Sequence, residues 1–173
     1  MTIIKAGIEY ANILTEIGAE TFIDAHGITA PKYEIDAYVN RVYNTDAIKA
    51  ELLKEENIYH VIELENKLAG FSKMEFDMKN PFVSFPHASK MDQIYLLKPF
   101  QGLKLGAKLL LHNIAYSKAN NQNGMWLVVW IKNQQAIRFY NNFGFKIVGE
   151  SNFSLTATHA NPCYIMALNY HKP

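Results

Sequence analysis

The chain has 173 residues, 49% hydrophobic and 19% charged, with 17 Lys plus Arg against 16 Asp plus Glu and a formal net charge of +1. This length sets a single domain over residues 1–173 as the expectation, and the apolar content supports a core and excludes a disordered chain. The balanced charge offers no basic face for nucleic acid, and no run approaches the ~18 apolar residues of a membrane span. The single cysteine, Cys163, has no partner within the chain, and the N-terminus lacks a secretory pattern. A cytoplasmic protein without nucleic-acid or membrane partners is therefore expected.

In chain order, Thr2 to Ile8 reads as an opening strand. Helical spacing of Ile13, Leu14, Ile17, Phe22 and Ile23 predicts a helix from Tyr10 to His26, stopped by Gly27. Pro31 opens a second helix carrying Ile35, Tyr38, Val39 and Val42, and Asn44 or Thr45 caps a third over 46–55. The pattern then changes to period two. Residues 58–64 and 68–78 read as a hairpin turned by Glu65-Asn66-Lys67, followed by a proline-containing loop over 80–87. A central strand is predicted over 92–97, a helix over 103–120 with Leu105, Leu109, Leu110 and Ile114 inward, and a strand covered on both faces over 125–131. Trp126 and Trp130 are placed on one side of that strand. A short helix over 133–142 ends at Gly144, and two strands, 145–149 and 163–168, close the chain, the last as an edge. This order predicts an α/β (α+β) fold with a mixed sheet and helices on both faces.

Two segments carry chemistry. In the first, Leu96-Leu97-Lys98-Pro99-Phe100-Gln101-Gly102-Leu103-Lys104-Leu105-Gly106-Ala107, a strand passes through a glycine-bearing turn directly into a helix. The unpaired N–H groups of a helix's first turn, with its partial positive charge, suit a pyrophosphate, and Lys104 and Lys108 add charge. In the second, a buried strand ends at Asn133, and Ala136 and Tyr140 share a helix face beside Phe139, before Gly144 and Phe145.

Together these segments resemble the GNAT superfamily of acetyltransferases, most strongly over the last half of the chain. Gln101, Gly102, Gly106 and Ala107 match its Arg/Gln-x-x-Gly-x-Gly/Ala loop, with Lys104 standing where the middle glycine is usual. Asn133, Ala136, Phe139, Tyr140, Gly144 and Phe145 match its second segment. The surrounding text looks most like the bacterial branch that includes polyamine acetyltransferases.

The resemblance implies a mostly antiparallel sheet with a splayed central strand pair, acetyl-CoA as co-substrate and no metal. It implies cofactor binding by Ile94, Tyr95 and Leu96 on the fourth strand, by Gln101, Gly102, Leu103, Lys104, Leu105, Gly106 and Ala107 in the loop, and by Asn133, Ala136 and Tyr140. An amine bound beside the cofactor attacks the thioester directly. Tyr140 is implied as the general acid for the departing thiolate, with ordinary values of ~10 for a phenol and about 8.5 for a thiol read as favouring donation. Asp92 and Glu75 are the candidate bases, with His87 behind them. Helix acids Glu34, Asp36, Glu51, Glu55 and Glu56 are candidates for attracting a polyamine. A peptide N-terminus as acceptor, or a non-catalytic acyl-CoA sensor of the same fold, are the alternatives. Cys163 is read as a packing residue, and a homodimer through the last strand is a further expectation.

Overall fold

A computed structural model describes residues 1–156 and 159–171. The chain forms two compact units, Met1–Met74 with Gln93–His112, and Glu75–Asp92 with Asn113–Pro173.

The first unit opens with β1 (Thr2–Lys5), shorter than expected because Ile8–Tyr10 form a 3₁₀ turn leading into the first helix. Then come α1 (Ala11–His26), α2 (Lys32–Val42) and α3 (Thr45–Leu52). Asn44 is the cap of α3, its side chain accepting from the Ala47 N–H at 2.9 Å. β2 (Asn57–Leu64) pairs antiparallel with β1 and turns into β3 (Lys67–Glu75). Glu65 and Asn66 in that turn both have positive φ, the backbone a tight two-residue hairpin needs. β3 neighbours β4 (Ala88–Leu96). α4 (Leu105–Ala119) follows, and Leu105 and Leu109 bury against Ile62 and Ala69, with Ile94, Leu96 and Phe100 alongside. Residues recurring every three or four positions on α4 thus fasten its first turns to the sheet.

In the second unit the beginning of β4 pairs in parallel with β5 (Gly124–Trp130), over Ala88–Met91 against Gly124–Leu127. α5 (Gln134–Asn142) leads to β6 (Lys146–Ser154) and β7 (Ala160–Asn169). β7 pairs antiparallel with both β5 and β6. Among the described residues the seven-stranded sheet is mostly antiparallel, with β4–β5 a parallel pair, and with five α-helices it makes the mixed α/β fold expected.

Three expectations are corrected here. β7 is an interior strand; β6, whose exposure alternates along its length, occupies the edge. The apolar edge expected for dimer formation is thus not on the last strand. β4 begins at Ala88 rather than 92, because Ala88 and Ser89 are buried against β5. β5 is not covered on both faces throughout, since Val128 is 37% exposed while Trp126 is buried.

Candidate active site

The turn after β4 is shaped by short-range bonds. Lys98–Phe100 make a 3₁₀ turn, and the Gln101 side-chain amide donates to the Leu96 carbonyl at 3.1 Å. The Lys98 ammonium meets the Asp24 carboxylate of α1 at 2.6 Å. Gln101, Gly102, Leu103 and Lys104 are all exposed, so this backbone faces solvent on its way into α4. The Lys104 carbonyl accepts the Lys108 N–H at 3.2 Å and starts the helix. That leaves the N–H groups of Leu105, Gly106 and Ala107 as first-turn donors with no carbonyl four residues back in the helix. Their sum of dipoles favours an anion at this end, and Lys104 and Lys108, both exposed, add positive charge.

Lys104 lies outside α4, which begins at Leu105 rather than at the expected 103. Its φ is +60°, the left-handed region, beside Gly102 at +79°. A side chain in that region costs about 1–2 kcal/mol, which glycine avoids. Lys104→Gly, after the ~0.5–1 kcal/mol a glycine loses in chain entropy, is expected to raise stability by up to about 1 kcal/mol and Tm by ~2–4 °C. Thermal unfolding of the two proteins checks this, and an unchanged or lower Tm would refute the strain.

The opposite face of β4 carries polar and aromatic groups. Ile94 and Leu96 pack toward α4, whereas Gln93 donates to the Tyr43 hydroxyl at 3.0 Å. Tyr95 Oη lies 3.2 Å from His26 Nε2 at the end of α1. Around them Phe22 stacks with Tyr38 at 4.5 Å and meets His26 at 4.7 Å, and Phe71 meets Tyr95 at 5.8 Å. Burial holds the His26 imidazole below its ordinary pKa, so the neutral form is favoured. Glu34, four residues before Tyr38 on α2, is buried and accepts a hydrogen bond from the Tyr33 hydroxyl at 3.2 Å. His26 escaped the sequence reading because its partner lies 69 residues away; its place one turn after Phe22 was the available signal.

In the second unit, Asn133 caps α5, its side chain accepting from the Ala136 N–H at 3.0 Å. Ala136 sits half-exposed one turn before Tyr140. Tyr140 is buried between Phe139 at 5.2 Å and Phe145 at 5.7 Å, and burial pushes its hydroxyl far above the usual phenol value. Gly144, at φ +88°, makes the turn that returns the chain to Phe145. The expected ease of proton donation does not follow from the ordinary values, since a phenol at ~10 already lies above a thiol at about 8.5, and burial widens the gap. A phenol with a pKa above that of the thiol holds its proton more tightly than the thiol does, so full transfer to a thiolate runs uphill.

Asp92 forms an ion pair with Lys90, whose ammonium also lies 5.8 Å from the Trp126 ring centre. Glu75 ends β3, half-buried. His87 is tied to Asp77 at 2.8 Å in the exposed β3–β4 loop. Asp36 is paired with Lys32, and Glu51 with Lys54 and Lys73, while Glu55 and Glu56, expected in the helical region, lie in the exposed turn between α3, which ends at Leu52, and β2. The Cys163 thiol is buried and its pKa raised, as fits packing. Among the described residues no group of three or more His, Cys, Asp or Glu is placed to hold a metal, and no helix is long and apolar enough to cross a membrane.

A glycine turn leading exposed first-turn amides into a helix, on a sheet with one parallel pair, suits a phosphorylated ligand. Residues 19–145 match the model of the acetyltransferase (GNAT) family, and the chain belongs to that family. It is an N-acetyltransferase using acetyl-CoA. An uncharacterised N-acetyltransferase from the pepI 3′ region of Lactobacillus delbrueckii subsp. lactis is 25% identical over 139 residues, 80% of each chain. A second from Mycobacterium bovis is 38% identical over 77 residues, 44% of this chain and 49% of the other. Among solved structures, the PaiA N-acetyltransferase of Thermoplasma acidophilum in complex with coenzyme A superposes with a TM-score of 0.74 at 20% identity, over 98% of this chain and 100% of that one. The ribosomal-protein-S18-alanine N-acetyltransferase of Escherichia coli gives 0.66 at 19%, over 99% and 95%. At such identities these structures speak for the fold alone.

Proposed function

We propose that the protein transfers acetyl from acetyl-CoA to a primary amine of a small polycation such as a polyamine. The observation that carries this reading is the aromatic face of β4 in the first unit. Phe22, Tyr38, Tyr95 and His26 lie together there, with the Glu34 carboxylate on the same side of α2 as Tyr38. Phe22 is buried and the Tyr38 ring already carries the Arg41 guanidinium at 5.2 Å, so the half-exposed Tyr95 ring is what offers an organic ammonium cation–π attraction, with the Glu34 carboxylate adding charge. Asp92 cannot take the amine's proton without giving up its pairing with Lys90, so attracting the acceptor is the role assigned to it.

The loop amides of Gly102 to Ala107 bind the pyrophosphate, and Gln101 sets the turn by holding the Leu96 carbonyl. Backbone groups of Ile94, Tyr95 and Leu96 pair with the pantetheine arm, and an N–H there polarises the thioester carbonyl. Asn133 uses Oδ1 for its cap, so its contact with the cofactor comes from Nδ2. Tyr140 donates a hydrogen bond to the departing sulfur. Holding amine and thioester together supplies much of the rate.

Calorimetric titration with acetyl-CoA, followed by free-thiol release over a panel of amines, tests this. Spermidine is expected to drive release at least tenfold faster than a peptide with a free N-terminal alanine. Faster release with the peptide would replace the small-amine reading with a protein N-terminal one.

A further inference from the structure

The acceptor amine reaches the enzyme as an ammonium and must lose a proton to attack. The first unit holds a proton acceptor suited to that step. Tyr95 belongs to the β4 stretch assigned to the thioester arm, and its side chain points away from α4, whose own face is filled by Leu105 and Leu109. Behind Tyr95 Oη, at 3.2 Å, stands His26 Nε2. Both side chains keep partial exposure. His26 is fixed by Phe22 at 4.7 Å and by the edge-on Tyr95 ring at 6.3 Å, and the last turn of α1 is tethered by Asp24 to Lys98.

We propose that Tyr95 and His26 form the proton path for the acceptor amine. The ammonium N–H breaks as its proton passes to Tyr95 Oη. The Tyr95 O–H breaks in the same event as its proton passes to His26 Nε2, which requires the tautomer protonated at Nδ1. Tyr95 is unchanged at the end and His26 is cationic. The amine nitrogen bonds to the thioester carbon in the same event, because the lowered imidazole alone holds a proton less tightly than the ammonium does, and the C–S bond breaks, its electron pair leaving with sulfur. The second nitrogen proton neutralises the thiolate, and His26 returns its proton to water between turnovers. Tyr95 touches the substrate and is catalytic; His26 acts through it as a positioning residue.

The titratable and charged groups on elements packed around His26 include Tyr95 on β4, Tyr38, Glu34 and Arg41 on α2, with the Arg41 guanidinium 5.2 Å from the Tyr38 ring centre, Tyr43 just after α2, and Asp24 on α1, whose carboxylate is taken up by Lys98. With its pKa lowered by burial, His26 is neutral at pH 7 and becomes charged only as pH falls through that lowered value. Charged, it can accept nothing, so the path closes on the acid side.

The inference rests on acetyl transfer to an amine and not on which amine. The experiment therefore uses whichever panel amine is turned over fastest; a non-polyamine winner would sink the polyamine reading and leave this one open to the same measurement. His26→Gln, Tyr95→Phe and the double variant are compared with the unaltered enzyme for kcat/KM between pH 5 and 9. The unaltered enzyme should show an acid limb with its midpoint below the ordinary histidine value of ~6.5. Each single variant should lose that limb and about 10²-fold in kcat near neutral pH, with KM for acetyl-CoA within threefold of the original. The double variant should lose no more than either single one, as groups acting in series do. Retention of the acid limb in either variant, or losses that multiply in the double variant, would overturn the relay.

Discussion

Tyr140→Phe is expected to lower kcat by about 10²-fold, the loss typical when one donor to developing negative charge is removed, while the KM for acetyl-CoA stays within a factor of two or so of its original value. The hydroxyl is the only group deleted, and Phe139 and Phe145 continue to enclose the ring, so stability should change little. The decisive measurement is the pH dependence. Burial holds the Tyr140 hydroxyl far above its usual value, so the phenol stays protonated throughout the range in which the enzyme is assayed. No alkaline loss of kcat attributable to a tyrosine should then occur between pH 8 and 10. An alkaline limb near the ordinary phenol value of ~10, present in the unaltered enzyme and absent from Tyr140→Phe, would show an easily ionised acid instead. It would restore proton transfer, in place of hydrogen bonding, as the role of this residue.

The parts of the site that were legible in the sequence are those built from neighbours along the chain. The strand, turn and helix from Leu96 to Ala107 announce themselves by a glycine, a proline and a run of helical apolar spacing, and the structure forms them with Gln101 bracing the turn. Asn133 was readable as a cap because capping is a three-residue interaction. What was not legible depends on neighbours distant in the chain. An apolar segment such as 163–168 says that it is buried, not which strands flank it, and β7 proves to lie between β5 and β6. β6 continues past Gly149 to Ser154, beyond the strand expected over 145–149. The Phe82 ring occupies the place of a side chain at Gly149, 2.3 Å from where a Cβ would stand. Lys104 gave no sign of positive φ, since only the helix start and the preceding turn impose it. His26 and Tyr95 are each ordinary in sequence, and only the packing of α1 on β4 joins them.

Gly70→Ala is the substitution expected to do most damage without touching any proposed ligand. Gly70 lies on β3, and a Cβ built there stands 2.2 Å from the Tyr95 carbonyl oxygen, 2.7 Å from Leu96 Cδ2 and 3.0 Å from Leu96 Cα. Two of these three atoms belong to the backbone of β4, which cannot rotate aside as a side chain can. The strand must move, and overpacking of this kind costs about 1–3 kcal/mol, only partly offset by the ~0.4–1 kcal/mol that alanine gains through a less flexible unfolded chain. Tm is expected to fall by roughly 2–6 °C. The larger consequence is for function, because the displaced residues are those assigned to the thioester arm and the proton path. A shift near 1 Å in reacting groups costs on the order of 10²-fold, so kcat/KM should drop much further than the Tm change alone suggests at 25 °C. Gly106→Ala is the comparison: its Cβ meets only Leu96 Cδ1, at an ordinary 3.6 Å, and it lies within α4. There alanine should raise the unfolding free energy by up to ~1 kcal/mol through helix propensity. If Gly70→Ala instead leaves both Tm and kcat/KM unchanged, the close approach of β3 to Tyr95 and Leu96 is not what holds this strand in place.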